Sequence, residues 1–172
     1  MERRLILALG CLALVCGVVG CRTADGGAVA GPRRPLDVLI EEGNPAEMGA
    51  KQYQFRVEIR DYMKRELPRR LVRYGMDVRM VGDRAETAAA GDGRDLLVVR
   101  YVSYNPGSSA ARIVVGYGAG AAALAISLAL HRGGQQILAW TDGCGTSGHW
   151  SRIVNKLDDN LGKKLREFYA QR

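Results

Sequence analysis

The sequence predicts an α+β domain: a mainly antiparallel β-sheet of about five strands with two long amphipathic helices on one face. Short apolar or alternating segments recur between glycine-containing turns. Two longer segments place apolar residues three and four positions apart, as on one face of a helix. The 172 residues suffice for one domain. The order β-α-β-β-β-β-α is typical of a sheet with its helices packed on one side.

Residues 1–20 have the three-part composition of a secretory signal peptide. Arg3 and Arg4 give a basic start, an apolar run extends from Leu5 to Val15, and small residues precede Cys21. The run is shorter than the roughly 20 residues that cross a bilayer. We therefore expect export and cleavage, with an uncleaved membrane anchor as the alternative.

The end of this segment also predicts a lipid anchor. Val18 to Cys21 resembles the lipobox of bacterial lipoproteins, in which an apolar residue and then a small residue precede an obligatory cysteine. The resemblance implies cleavage ahead of Cys21 and acylation, including palmitate, of its sulfur and new amino group. Arg22 stands where an aspartate would imply inner-membrane retention, so the resemblance implies the outer membrane, with the domain facing the periplasm.

Charge and cysteine content agree with a protein of the cell envelope. Loss of Glu2, Arg3 and Arg4 with the signal peptide changes the formal net charge from +7 to +6, so the mature chain stays basic. With Cys21 acylated, Cys144 is the one cysteine left in the folded part, and no intramolecular disulfide is possible. Because the chain is exported, we expect no nucleic-acid partner.

The mature chain divides into a tether and one domain. Residues 21–35 contain the lipidated cysteine and a flexible stretch rich in Gly, Ala, Pro, Thr and Arg. Residues 36–172 form a single α/β domain that begins with a strand at Leu36–Ile40. Apolar spacing then predicts a helix from Met48 to about Tyr74, in which Pro68 either introduces a kink or begins a second helix.

Glycines and alternating segments define the rest of the domain. Gly75 is expected to end the first helix. The later elements are a strand at Met76–Val81, a loop at Gly82–Gly93, strands at Asp95–Tyr104 and Ala121–Leu130, a turn at Gly133-Gly134, a strand at Gln135–Thr141, a loop at Asp142–Gly148, and a final helix with its apolar face between Trp150 and Phe168.

The uncharged segment Ile113–Leu130 allows three interpretations. Its 18 residues reach the lower length limit of a transmembrane helix. Gly118-x-Gly120-x-x-Ala123, with Asp142 further along the chain, imitates a dinucleotide-binding fingerprint. Both of these alternatives need a helix from residue 123 onward. Small and large residues instead alternate from Ala123 to Leu130, and this period of two favours a strand.

A family resemblance supports the strand. The segments that carry it are Asp95–Val99, Gly107, Arg112, the glycines Gly116, Gly118 and Gly120, the alternating strand, and Ile137–Ala139 after a glycine turn. They look like the pattern of bacterial envelope proteins grouped as domain of unknown function 4410. The resemblance covers about residues 36–170 and singles out Arg112 with the three glycines as a glycine-rich motif. It implies a small α/β envelope domain with no established activity.

Residues suited to catalysis are few. Cys144 and His149, with Asp142 nearby, are the candidates for a cell-wall hydrolase that uses a thiol nucleophile. Only 23 residues follow His149, and they are expected to form one helix, so no later strand can bring an orienting partner. One cysteine and one histidine are too few ligands for zinc. We therefore expect no catalytic residues, no metal and no cofactor.

Basic residues are concentrated on the first long helix. They form a possible docking face made of Arg56, Arg60, Lys64, Arg69 and Arg73. The alternative is an ordinary solvated helix surface with pairs such as Asp61 with Arg65. A docking face would contact an envelope protein, anionic lipid headgroups or an acidic envelope polymer.

The sequence thus favours a membrane-tethered, non-enzymatic accessory or docking domain of the cell envelope. Dinucleotide binding through the segment from Gly116 to Gly120 is the first alternative. Hydrolysis of cell-wall material by Cys144 and His149 is the second.

Overall fold

The computed structural model describes residues 32–41, 50–90, 92–105, 107 and 121–172. These ranges contain five strands and three helices. In chain order they are β1 (Arg34–Glu41), α1 (Ala50–Arg73), β2 (Met76–Met80), α2 (Arg84–Ala90), β3 (Asp95–Asn105), β4 (Ala122–Arg132), β5 (Gln135–Thr146) and α3 (Ser151–Ala170).

The five strands form one mixed sheet in the order β2-β1-β3-β4-β5. β1 is parallel to both of its neighbours, whereas β3, β4 and β5 are successively antiparallel. The parallel pairs arise because the connections that contain α1 and α2 return the chain to the same end of the sheet. The α+β class is confirmed, with half of the strand pairs parallel.

The main core lies between the sheet and the two long helices. One face of the sheet supplies apolar side chains from β1, β3 and β4, and α1 and α3 supply the other half. The fully buried apolar side chains of the helices are Ile59, Met63, Leu67, Leu71, Ile153, Val154, Leu157, Leu161 and Leu165. Their spacing of three and four residues is the periodicity that predicted both helices.

The alternating segment is a strand, as predicted. Leu124, Ile126, Leu128 and Leu130 are buried on the helix side of β4. β4 pairs antiparallel with β5 across Gly133-Gly134, whose φ angles of 54° and 81° suit a two-residue hairpin turn. The transmembrane and dinucleotide alternatives both require a helix here, so the structure gives them no support. No helix within the described residues is long and apolar enough to cross a membrane.

A short helix occupies the segment that was expected to be the loop Gly82–Gly93. Asp83 Oδ1 accepts a hydrogen bond of 3.0 Å from the backbone N–H of Glu86, and Glu86 Oε2 accepts one of 2.6 Å from Gly82. The two bonds resemble a capping box, except that Glu86 accepts from the residue before the N-cap Asp83, and they stabilise the first turn of α2. The Asp-x-x-Glu spacing in the sequence is its signal.

Two further boundaries differ from the prediction. β5 continues through Asp142 to Thr146, because this stretch still pairs with β4, so the predicted loop at Asp142–Gly148 is mostly strand. Pro68 lies inside α1 and does not begin a second helix. Gly75, with φ of 85°, ends α1 as expected.

Candidate functional site

The face of the sheet that α1 and α3 leave free carries a groove of mixed lining between α2 and the β4–β5 hairpin, called the polar groove here after the arginine, histidine and hydroxyl side chains along it. Two adjoining cavities of about 480 and 540 Å³ form this groove, and both are lined by Arg84 and His131. The first extends under α2 past Thr87. The second extends over β4 and β5 past Ser127 and Thr141, whose small side chains leave the floor flat.

A buried carboxylate anchors the edge of the groove under α2. Asp37 of β1 is 0% exposed. Arg79 donates two hydrogen bonds to it, of 2.9 and 2.6 Å, and Arg94 donates a third of 2.8 Å. Arg94 also bonds Asp77 at 2.8 Å. Burial alone raises the pKa of Asp37, but the hydrogen bonds, first that from Arg79, outweigh it and hold the pKa below its ordinary value.

A second carboxylate lies at the other end of β1. Glu41 accepts hydrogen bonds of 2.9 and 2.6 Å from Arg100 and of 3.3 and 3.0 Å from Arg84. Burial raises the pKa of Glu41, and the hydrogen bonds from these two arginines lower it further than burial raises it. Glu41 therefore fixes the two guanidinium groups at the wall of the groove.

These ion pairs decide which chemistry the groove can perform. Carboxylates with a lowered pKa stay ionised near neutral pH, so Asp37 and Glu41 are poorly suited to transfer protons. Arg84 and Arg100 remain 52% and 58% exposed while they bind Glu41. Since a guanidinium has five N–H donors, each can still bond a carboxylate, phosphate or hydroxyl oxygen of a partner. The arrangement suits recognition.

The residues proposed for a hydrolase are not assembled. Cys144 is half-buried against the core, and its thiol donates to the carbonyl of Gly145 at 3.6 Å. His149 instead bonds the hydroxyl of Ser151 through Nδ1 at 2.9 Å. Asp142 accepts a hydrogen bond of 3.1 Å from Asn160 of α3. Each candidate has a separate partner, so the hydrolase alternative gains no support.

The other predicted sites divide by whether the structure describes them. Cys21 and the glycine-rich motif of Arg112, Gly116, Gly118 and Gly120 lie outside the described residues. Within the described ranges, no three His, Cys, Asp or Glu side chains are grouped closely enough to hold a metal ion.

The basic docking face predicted on α1 needs one correction. Arg56 is 5% exposed and its guanidinium lies 5.3 Å from the centre of the Tyr101 ring, so it belongs to the interior. Arg60 is half-buried. The exposed members are Lys64, Arg69 and Arg73.

Sequence reasoning missed the buried acids. Asp37 lies inside the segment Leu36–Ile40 that predicts β1, and Asp95 begins the segment that predicts β3. Asp95 binds Arg132 through two hydrogen bonds of 2.8 and 2.7 Å. A carboxylate within or directly before an apolar run was the available signal, since such a residue needs a buried partner.

Comparisons with known proteins agree with this fold. A family model described as Domain of unknown function (DUF4410) matches residues 37–149. No curated protein matches the chain.

Solved structures include two of the PelC dodecamer from Paraburkholderia phytofirmans, both with a TM-score of 0.52. In space group P6 it is 13% identical, and the match covers 74% of this chain and 84% of that chain. A variant in space group C2 is 14% identical, with 80% and 91% covered. Lipoprotein GNA1162 from Neisseria meningitidis is 11% identical, with 79% and 99% covered, but its TM-score of 0.34 is too low to argue from.

The PelC matches show a common fold and nothing finer. The family match is more specific, because it starts in β1 and includes α1, every later strand and the glycine-rich motif. It spans more than half of the chain, and the protein therefore belongs to the DUF4410 family.

Proposed function

We propose that this protein is a lipid-anchored accessory lipoprotein of the bacterial cell envelope whose domain docks a partner through the polar groove, without catalysis. The observation that carries this proposal is the pair of fixed, solvent-facing guanidinium groups of Arg84 and Arg100 on Glu41. Their geometry is set before a partner arrives, so little side-chain freedom is lost on binding.

The shape of the groove indicates the kind of partner. Ser127, Ala129 and Thr141 form a flat floor beside the two arginines. An extended segment can lie on such a floor while its acidic or hydroxyl groups bond the guanidinium N–H donors. An envelope protein with an acidic segment and an anionic envelope polymer both fit this description.

The N-terminal sequence supports the location. Residues 1–20 have signal-peptide composition, Cys21 follows a lipobox-like sequence, and Arg22 favours the outer membrane. The tether of about 14 residues limits the distance between Cys21 and the domain to at most about 50 Å. The domain would then face the periplasm at a distance that allows contact with partners at the membrane surface.

Photo-crosslinking in cells tests the docking groove. A photoreactive residue at Thr141 should give a defined crosslinked product, and the same residue at Glu167 on the helix side serves as the control position. Arg84→Gln/Arg100→Gln should remove the product, whereas Cys144→Ala and His149→Ala should leave it unchanged. A crosslinked product that survives the arginine substitutions would contradict docking through the groove. Loss of a cellular phenotype in either Cys144→Ala or His149→Ala, at normal protein level, would favour the hydrolase.

A second copy of the chain is the second candidate partner. β5 is an edge strand of 12 residues, and Asp142, its one charged side chain, is already bonded to Asn160. A long edge without protecting charges is open to pairing with another strand. The PelC proteins that share this fold are dodecamers. Light scattering on the purified protein tests this candidate: a monomeric mass would exclude it.

A further inference from the structure

We infer that a basic patch on the C-terminal halves of α1 and α3 lies on the anionic surface of the membrane and thereby orients the domain. The patch is called the tether-side patch. It consists of Arg34, Arg69, Arg73, Lys163, Arg166 and Arg172, all of which are exposed.

The position of Arg34 places the tether beside this patch. The backbone N–H of Arg34 donates a hydrogen bond of 2.9 Å to the carbonyl of Gly75, directly after α1. Its guanidinium lies 5.7 Å from the centre of the Tyr169 ring, in the last turn of α3. The chain therefore enters the domain where both long helices end.

Aromatic rings fix the cations at this end of the molecule. Arg166 lies 5.7 Å from the centre of the Tyr74 ring, and Arg172 lies 4.5 Å from that of Phe168. Stacking on a ring leaves the charge of a guanidinium exposed while restricting its motion. The carbonyl ends of the helices add negative potential that favours cations at this position.

The acids nearby do not neutralise the patch. Glu66 lies 3.5 Å from Arg69 and is shared with Arg65, and Asp159 lies 3.5 Å from Arg73 and is shared with Arg70. Glu167 adds one further negative charge beside the six cations of the patch. A net positive charge remains, which complements an anionic surface.

An anionic membrane is the occupant that the chain itself brings close. Thirteen residue steps separate Cys21 from Arg34, which limits the distance between them to at most about 45 Å. The inference that the patch contacts the membrane rests on the lipid anchor proposed for Cys21 and adds a second contact to it. Electrostatic attraction to anionic lipids acts within about 8 Å at physiological salt, which the tether permits.

Membrane contact at this patch would leave the Arg84 and Arg100 wall of the polar groove away from the lipid, whereas the cavity under α2, which Gly133 and Gly134 help to line, lies nearer the tether end of the sheet. Glu41, which holds Arg84 and Arg100, lies at the opposite end of β1 from Arg34. Seven residue steps along a strand are about 23 Å. With the tether-side patch on the lipid, the two groove arginines point away from it and are accessible to a partner.

Vesicle binding tests the patch separately from the anchor. The full-length Cys21→Ala chain, which cannot be acylated at residue 21, is sedimented with vesicles of phosphatidylcholine alone or with 30% phosphatidylglycerol. The measured quantity is the ratio of the affinity for anionic vesicles to the affinity for phosphatidylcholine vesicles. This ratio cancels adsorption of the apolar N-terminal run, which we expect to be similar for both kinds of vesicle. The patch variant Lys163→Gln/Arg166→Gln is compared with Arg84→Gln/Arg100→Gln, which removes the same charge at the far end of β1.

The unmodified patch should prefer anionic vesicles, and the patch variant should reduce this preference on the order of tenfold, from the attraction of two basic side chains to anionic lipid. The groove variant should change the preference for anionic vesicles less than twofold. Lys163→Arg/Arg166→Lys retains both charges and should retain this preference. Equal losses in the patch and groove variants, or no preference for anionic vesicles, would overturn the inference. The vesicle assay does not depend on acylation of Cys21. A failure of acylation would therefore count against the lipid anchor and not against the patch.

Discussion

The hydroxyl of Tyr169 donates a hydrogen bond of 2.6 Å to Oδ2 of Asp95, which ties the last turn of α3 to the first residue of β3. Arg132, near the end of β4, donates to the same carboxylate. Burial raises the pKa of Asp95, but the hydrogen bonds from Arg132 and then Tyr169 lower it below its ordinary value. One ionised side chain thus joins three elements at the tether end of the sheet.

Tyr169→Phe removes this hydrogen bond without changing the packing of the ring. Because the acceptor is charged, we expect the free energy of unfolding to fall by about 1.5–3 kcal/mol. Urea denaturation measures it. Tyr104→Phe is the control, since that half-buried tyrosine makes no hydrogen bond to the described residues. Equal effects of the two substitutions would show that the bond to Asp95 contributes nothing.

Asp37→Asn tests the buried ion pairs of the groove. Removing the charge leaves Arg79 and Arg94 without their buried partner, and we expect a loss of about 3–5 kcal/mol in the free energy of unfolding. Asp77→Asn removes an exposed partner of Arg94 and should cost less than about 1 kcal/mol. A loss at residue 37 as small as that at residue 77 would contradict the structural role of Asp37.

The same ion pairs predict a loss of stability in acid. The pKa values of Asp37, Glu41 and Asp95 are all lowered in the folded protein. The stability that they provide is therefore present above their unfolded pKa values, near 4, and is lost as the pH falls through the folded values.

Asp158 should make the stability depend on pH in the opposite direction, so that its contribution is larger in acid. It is fully buried, and burial raises its pKa to about 8, although Nε of Arg70 lies 3.9 Å from its carboxylate. The folded protein then keeps a proton that the unfolded chain loses near pH 4. Its contribution to stability therefore falls between pH 4 and 8, by up to about 1.4 kcal/mol per pH unit.

Asp158→Asn should remove the pH dependence due to Asp158. The free energy of unfolding at pH 8 should therefore rise relative to that at pH 5. Urea unfolding of both proteins at the two pH values measures the difference. Asp61→Asn, at an exposed position of α1, is the control and should leave the pH dependence due to Asp158 in place. An unchanged difference between pH 5 and pH 8 in Asp158→Asn would contradict the raised pKa.

Gly162→Ala tests the close contact of α1 with α3. A Cβ at residue 162 would overlap the ring of Tyr74. Alanine is normally more favourable than glycine inside a helix by about 1 kcal/mol, so a lower melting temperature in Gly162→Ala would show that the overlap outweighs the helix preference. Tyr74→Ala in the same protein should recover much of the loss. A stabilised Gly162→Ala would mean that the helices lie further apart.

Local patterns were readable in the sequence, and long-range partners were not. The alternation from Ala123 to Leu130 predicted β4 because a strand and a helix distribute those residues differently over their faces. The glycine pair that follows predicted the hairpin for a similarly local reason. Nothing local shows that β1 lies between β2 and β3, because that order depends on the two crossovers through α1 and α2.

The candidate site was harder to predict for the same reason. Arg84 and Arg100 form the groove wall only because Glu41, far away in the sequence, holds both of them. Arg56 looked like part of an exposed basic stripe, yet it packs on Tyr101 of β3. In each case the charge pattern on one segment could not reveal the partner on another.

The central claim, that lipid on Cys21 holds this domain at the envelope membrane, is tested most directly by the mass of the N-terminal peptide of the protein isolated from the membrane fraction. The account predicts a peptide that begins at Cys21 and carries the added mass of acyl chains, including palmitate, and it predicts loss of that peptide from the membrane fraction in Cys21→Ala. A mature chain that begins at another residue, or an unmodified Cys21 in a protein that remains with the membrane, would contradict it.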